Sequence, residues 1–186
     1  MLAQRPAEAA LAIQAAAETL PFAPDAFDAA MAVLTIHHWA DRQRGYRELC
    51  RVAPRRVVLT YDPGFHHEQV WIVRDYVPEV GELDRQRNFN IEEVARGLGA
   101  TRVVAVPVPW DCTDGFLGAY WRRPYALFDP HVRSGTSGFS LLDHDTVERG
   151  LAQLRADLNS GRWHERNGSL LAADEMDIGL RLVIAD

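Results

Sequence analysis

Apolar segments alternate with segments of helical spacing along much of the chain, the pattern of a mostly parallel sheet carrying helices on its faces. Residues 27–36 (FDAAMAVLTI) form a near-continuous apolar run after a turn at Pro24 and Asp25, which predicts a central strand buried on both faces. That strand ends at His37, His38 and Trp39. Asp41 can cap a helix over residues 42–52, with Tyr46, Leu49, Cys50 and Ala53 on one apolar face, before Pro54 stops it. Residues 57–61 read as the next strand. Asn90 with Glu93 predicts a capped helix ending near Gly97 and Gly99, followed by a strand over 102–108 that Pro107 assigns to a sheet edge.

Asp145 with Glu148 predicts a second capped helix, with Val147, Leu151, Leu154 and Leu158 along one face and Asn159, Ser160 and Gly161 at its end. Residues 178–185 read as the last strand. Residues 10–16 (ALAIQAA) suit a short buried strand and a helix equally well. Two stretches are dense in aromatics: residues 65–76, and Phe116, Tyr120, Trp121, Tyr125 and Phe128 around the helix-breaking Pro124. They read as core helices or as a lid over a pocket.

Composition narrows the class. With 186 residues, 47% hydrophobic and 25% charged, the chain suits one globular domain. Twenty Lys and Arg against 26 Asp and Glu give a net charge of -6 with no basic run, which argues against nucleic acid as a partner. The opening residues lack the basic start and unbroken apolar stretch of a secretory signal, and no apolar run approaches the roughly 20 residues of a membrane helix. A soluble, cytoplasmic protein without a membrane partner is expected. Cys50 and Cys112 are far apart and in no CxxC arrangement, so they read as reduced, partly buried thiols.

Three segments carry a resemblance. AETLPFAPDAFDAAMAV, LTIHHWAD with the helix ending in LCRV, and PWDCTDGFLGAYWRRP are similar to segments of class I, Rossmann-type, S-adenosylmethionine-dependent methyltransferases that act on small molecules. Ala17, Glu18, Leu20, Pro21, Phe22, Phe27, Asp28 and Ala29 match the family's pattern at the start of its fourth strand. The resemblance implies a doubly wound, mostly parallel α/β sheet with an antiparallel last strand and an aromatic-rich helical cover. It further implies S-adenosylmethionine as cofactor and a small-molecule methyl acceptor. A single domain over 1–186 is expected, with cover segments at about 63–90 and 110–145.

By the same resemblance Ala17 and Glu18 would lie beside the adenine, and Thr35 and Ile36 would line the methionine side of the cofactor. Glu18 is also what a helix-start carboxylate looks like. His37 and His38 fall just past the carboxyl end of a strand, where doubly wound sheets hold ligands. They read either as a general base, since imidazole titrates near neutral pH, or as the pocket wall of an enzyme that works by aligning its reactants. Trp39, Trp110, Phe116, Tyr120, Trp121 and Arg122 are the residues expected to touch the acceptor, against the alternative of ordinary core packing. His66 and His67 form a second pair, but adjacent side chains in extended backbone point apart, which argues against a metal site.

The family's glycine-rich turn between its first strand and first helix, and the acidic residue about 20 positions later, have no match in residues 1–186. Gly97-Leu98-Gly99 ends a helix instead of opening one. MLAQRP resembles the segment just after the family's second strand, which suggests that Met1 is a start assigned too late and that roughly 50 residues precede it, given that one strand-helix-strand unit takes at least about 30. The family's first two strands lie between its third and fourth, so both of the latter would have an unpaired edge. The expectation is that the third strand closes onto the fourth, or that a second copy fills the gap as a homodimer. The rival reading is a non-catalytic interaction module that self-associates through this edge, or a gene fragment.

Overall fold

The structure is a computed structural model that describes residue 6 and residues 8–186. The segment Met1 to Arg5, which carries most of the MLAQRP resemblance, lies outside the described residues. In chain order the elements are β1 (Ala29–Val33), α1 (Arg42–Val52), β2 (Arg55–Tyr61), α2 (Pro63–Gln69), α3 (Trp71–Asp75), α4 (Glu79–Arg87), α5 (Ile91–Leu98), β3 (Arg102–Ala105) and β4 (Val108–Pro109). They continue with α6 (Pro130–Ser134), α7 (Ser137–Ser140), α8 (His144–Ser160), α9 (Arg162–Asn167), β5 (Glu175–Met176) and β6 (Leu180–Ala185). Short 3-10 turns at Ile36–His38, Leu117–Tyr120, Pro124–Phe128 and Gly168–Ala172 join several of these.

Four strands form one sheet in the order β1-β2-β6-β3. β1 and β2 are parallel, and β6 enters antiparallel between β2 and β3. Three strands therefore run one way and the last runs against them, the α/β arrangement expected from the sequence. Val108 and Pro109 pair instead with Met176 and Glu175, so the strand expected over 102–108 stops short of Pro107, whose missing N–H cannot continue the ladder.

Local chemistry explains the helix ends. Asp41 accepts a hydrogen bond from the Arg44 N–H at 2.9 Å, and Asn90 accepts one from Glu93 at 2.8 Å. Gly99 closes α5 at φ 64°. The cap of α8 is Asp143, not Asp145: Asp143 has the extended backbone a cap needs and accepts from the Thr146 N–H at 2.8 Å, which places Asp145 inside the first turn.

Two cores result. Tyr46, Leu49, Ile91, Val94 and Leu98 of α1 and α5 pack on Ala32, Val58 and Val183 across one face of the sheet. A second core, built on Trp71, Trp121, Leu154 and Trp163, joins α3, α8 and α9 beside Ile178 and Leu180 at the start of β6. The opposite sheet face carries Met31, Val33, Val57, Leu59, Val104, Leu182 and Ile184, and none of these is fully buried.

Here the structure corrects the expectation of a central strand buried on both faces. β1 is only five residues long and is the edge of the sheet, with Met31 65% and Val33 51% exposed, because no strand pairs its outer side among the described residues. Residues 10–16 form neither a strand nor a helix, with only an isolated bridge between Ala16 and Thr19, and Leu11 and Ile13 are exposed. The third strand thus does not close onto β1.

Among the described residues no helix is long and apolar enough to cross a membrane.

Gly150 permits α8 to approach the turn after α3: a Cβ there would lie 2.5 Å from the Tyr76 carbonyl oxygen and 2.9 Å from Val77 Cγ1. Gly150→Ala should therefore lower stability by about 1–3 kcal/mol, through overpacking against backbone, despite the helix propensity that alanine adds. Urea unfolding at equilibrium checks this, and an unchanged or higher midpoint would contradict it.

Candidate active site

The carboxyl ends of β1 and β2 open onto a cavity of about 210 Å³. Doubly wound sheets hold ligands at this end because helix starts and loops converge there. After β1 the chain turns sharply at Leu34, held in the left-handed region at φ 46° while its N–H bonds the Leu59 carbonyl at 2.8 Å. The next turn sinks Ile36 into the core and leaves His37 and His38 at the cavity.

β2 delivers Tyr61 at its last position, and α4 delivers Val80, Leu83, Asp84 and Arg87 at helical spacing. Phe116, Leu117 and Gly118 close one side together with Ser137, Gly138 and Leu141. Asp62 caps α2 and Pro63 occupies its first turn, so His66 faces the cavity one turn later.

The polar end of the cavity is a knot around one carboxylate. Asp84 accepts hydrogen bonds from the Tyr61 hydroxyl at 2.8 Å, from Arg87 Nη1 at 2.7 Å and from His67 Nε2 at 3.2 Å. Arg87 Nη1 also donates to the Tyr61 hydroxyl at 3.1 Å. Asp84 is 6% exposed, so this triple pairing is what allows a charge to remain there. Burial, then the Asp84 charge, push the Tyr61 phenol above its ordinary range, and it stays protonated as a donor.

The histidines differ in environment. Burial, then His38 and Arg87, lower His37 from 6.5 to about 4, with Asp84 opposing. Its Nδ1 is buried without a hydrogen-bond partner, and its ring lies 4.0 Å from that of His38 and 5.5 Å from that of Tyr61. His66 Nδ1 lies 2.8 Å from the Ile178 carbonyl oxygen, and burial lowers its pKa although that hydrogen bond and Asp84 oppose the shift. No group of three or more His, Cys, Asp or Glu able to hold a metal ion occurs among the described residues.

Of the residues singled out in the sequence, the structure brings His37, His38 and Phe116 together at the cavity. Trp39 packs on Tyr46 of α1, ring centroids 5.8 Å apart. Trp121 is in the second core, donating to the Val108 carbonyl at 3.0 Å and accepting at its own carbonyl from Trp71 Nε1 at 2.8 Å. Arg122 lies over the exposed Trp110 at 5.0 Å and donates to the Ala173 carbonyl, while Tyr120 is covered by Arg123. None of these lines the cavity.

Glu18 is half-buried and accepts from the Asp41 N–H at 3.1 Å, a contact that lowers its pKa and ties the segment Ala17–Glu18 to the start of α1. Thr35 is half-buried between Leu34 and Ile36. Thr35 follows the carboxyl end of β1 and Glu18 sits beside the start of α1, and neither lines the cavity. The strand-to-helix glycine turn is not among the described residues, and Gly97-Leu98-Gly99 ends α5.

Sequence reasoning missed Tyr61, Asp84 and Arg87, and weighed His66 only as a metal ligand. Tyr61 was legible in part, as the last residue of a strand at the ligand-holding end of the sheet. Asp84 and Arg87 read in sequence only as an ordinary ion pair three residues apart on a helix.

An α/β sheet with an antiparallel last strand and a cavity at its carboxyl end is a Rossmann-like arrangement. The sequence model described as "Methyltransferase domain" matches residues 1–59. A crystal structure of a protein described as a methyltransferase from an antibiotic biosynthesis pathway of Anabaena variabilis superposes with a TM-score of 0.84 at 31% identity, covering 94% of this chain and 72% of that one. The chain belongs to this methyltransferase family, whose general chemistry is methyl transfer. YcgJ from Bacillus subtilis matches at 17% identity and TM-score 0.41 over 92% of this chain and 68% of that one. The [4+2]-cyclase SpnF matches at 16% and 0.41 over 91% and 53%. No curated protein matches the sequence.

Because His37 is held neutral in the fold, an unfolded chain takes up its proton first as pH falls. Its contribution is absent above about 6.5 and turns increasingly destabilising from there down to about 4. His37→Gln should retain more of its pH 7 stability at pH 5 than the parent does, by on the order of 1 kcal/mol once screening at a partly exposed ring is allowed for. Urea unfolding of both proteins at the two pH values checks this, and parallel losses would contradict it.

Proposed function

We propose that the protein transfers a methyl group from S-adenosylmethionine to a small molecule held in the cavity at the ends of β1 and β2. The observation that carries this reading is the cavity itself: its wall is apolar along Phe116, Leu117 and Leu141 and polar at Tyr61, Asp84, Arg87 and three histidines, in a chain of the methyltransferase family. An apolar wall with a few convergent polar groups suits a drug-sized acceptor better than a polymer. Bound S-adenosylmethionine would supply an electrophilic methyl carbon. Ala17, Glu18, Thr35 and Ile36 would hold its adenine and methionine sides from the end of β1, with Ile36 acting as packed support.

On this reading 1–186 work as one domain in the cytoplasm, and the segments 63–90 and 110–145 cover the acceptor. Phe116 would touch the acceptor directly, while Trp39, Trp110, Tyr120, Trp121 and Arg122 would act by fixing the cover. His37 and His38 would form the wall next to the methyl carbon. His37, held neutral well below pH 7, offers a lone pair but little driving force for proton transfer there.

A second reading rests on the uncovered sheet face. Met31 and Val33, 65% and 51% exposed, lie on that face at the edge strand β1, and Val104, 43% exposed, lies on the same face at the other edge of the sheet. Edges and apolar faces of this kind invite pairing with a second copy. A homodimer of this sort is compatible with catalysis, and without cofactor binding it would be the whole function.

Calorimetric titration of S-adenosylmethionine and S-adenosylhomocysteine into the 186-residue chain separates the readings. Methyl transfer predicts micromolar binding, about -8 kcal/mol, weakened at least tenfold in Glu18→Ala. No binding would sink it. In sedimentation equilibrium the self-association reading predicts that Met31→Lys with Val33→Lys shifts a dimer towards monomer, and a parent chain that is monomeric throughout would sink that one.

A further inference from the structure

We propose that His66 is the general base of the cavity, that its tautomer is set by the turn at Ile178 and Gly179, and that the acceptor is therefore a hydroxyl compound of the phenol type, methylated on oxygen. The inference rests on the methyl-transfer reading above and names the acceptor atom within it. A carbonyl oxygen can only accept, so the 2.8 Å contact between His66 Nδ1 and the Ile178 carbonyl requires the proton on Nδ1. Nε2 is then the nitrogen with the free lone pair, on a ring that lines the cavity.

The arrangement around that hydrogen bond is specific. Gly179 holds φ 94°, and a Cβ on it would lie 3.2 Å from His66 N and 3.3 Å from the Asp62 carbonyl oxygen. The Asp62 N–H donates to the Gly179 carbonyl at 2.8 Å and His66 N–H donates to the Asp62 carbonyl at 2.9 Å, while the Gly179 N–H is held by Asp177 at 2.8 Å. The start of β6 and the start of α2 are thus clasped to each other, and the clasp aims one carbonyl at one imidazole nitrogen. This is the relation of base to orienting acceptor that activated nucleophile systems use.

Burial sets His66 below the ordinary imidazole range, and the Ile178 carbonyl and the Asp84 carboxylate are the two groups that oppose that shift. Burial keeps His66 uncharged near neutral pH, and the neighbouring His67 adds to that. Once a proton arrives, the Ile178 carbonyl accepts from the remaining Nδ1–H and the Asp84 carboxylate stabilises the cation. Tyr61 packs edge-on to the ring at 5.9 Å between centroids. Asp84 is engaged by three donors, Tyr61 and Arg87 at Oδ1 and His67 at Oδ2.

The step balances without any oxidant. The acceptor O–H bond breaks and its proton passes to His66 Nε2, while an oxygen pair forms the new C–O bond to the methyl carbon of the sulfonium donor. The C–S bond breaks with its pair returning to sulfur as a neutral thioether, so the positive charge passes from sulfonium to imidazolium. A base matters for a neutral hydroxyl, a poor nucleophile until its proton leaves, and not for a free amine.

The test needs no methyl donor. Nitrogen-15 NMR of the histidine side chains at pH 7, with His66 assigned by its disappearance in His66→Asn, should show the Nδ1–H tautomer. The Asn amide can still donate to the Ile178 carbonyl, so the variant keeps the clasp and loses only the base. Millimolar phenol should move the Nε2 resonance of His66, and anisole, which lacks the hydroxyl proton, should leave it in place. An Nε2–H tautomer, or an Nε2 resonance that phenol does not move, overturns the proposal. With S-adenosylmethionine and phenol both supplied, His66→Asn should lose methylation by at least a hundredfold with donor affinity unchanged, and an equal rate in parent and variant also overturns it. A parent chain that passes both NMR criteria and binds no S-adenosylmethionine speaks against the methyl-transfer reading and leaves the assignment of His66 standing.

Discussion

The Asp84 carboxylate lies where three separately folded pieces meet. Tyr61 comes from the end of the sheet, His67 from α2 and Arg87 from α4, and each donates to the same buried carboxylate. An ionised carboxylate at 6% exposure is costly unless its lone pairs are filled, so the three donors and the charge require one another. The sheet alone cannot supply them, and neither can the helices. Arg87 pairs with Asp84 within α4 itself, so what fixes α4 across the end of β2 is the pair of bonds from Tyr61 and His67, which any other placement of the helix would lose.

The same constraint divides labour among the histidines. His67 is committed to Asp84 through Nε2, and His66, one position earlier on the helix, therefore faces a different partner. It finds the Ile178 carbonyl, presented by the turn that leads into β6. Because β6 runs antiparallel between β2 and β3, its start lies beside the end of β2, and this is what brings a residue 112 positions away in sequence to the imidazole. Adjacent histidines thus acquire unlike tautomers from the fold, a result that no consideration of the pair in isolation would produce.

Much of the architecture was legible in the sequence because its signals are local. The caps at Asp41 and Asn90, the apolar faces of α1, α5 and α8, and the four sheet strands all follow from spacing and from a few punctuating residues. The failures have physical reasons. The run at 27–36 was read as buried on both faces since its composition is that of a central strand, but burial depends on neighbours, and β1 has a strand on one side only. The site was legible at His37, His38 and Phe116, which follow a strand end or lie in an aromatic segment. It was illegible at Asp84 and Arg87, since on a helix the same pair would serve equally well as a solvated salt bridge, and only the packing of Tyr61 against it makes it part of a cavity. Trp121 and Trp39 show the converse: a large aromatic next to a functional motif is drawn into the nearest core by the area it buries.

The two sides of the proposed reaction are unequally built in these residues, and the inequality is informative about what each side requires. An acceptor pocket needs shape and a few fixed polar groups, and these come from the carboxyl ends of β1 and β2, from α4 and from the cover, all held by the Asp84 knot and the clasp at Gly179. On the cofactor side, β1 pairs with β2 along one edge, and Met31 and Val33 lie exposed on one face of the sheet. The strand's inner register with β2 is nonetheless complete over all five residues, from Ala29 with Arg55 to Val33 with Leu59. The turn at Leu34 that presents His37 and His38 depends on that inner edge alone, through its bond to the Leu59 carbonyl. Whatever occupies the outer edge of β1 would therefore add to the cofactor side without displacing the histidines, so the acceptor side can be studied chemically as it stands.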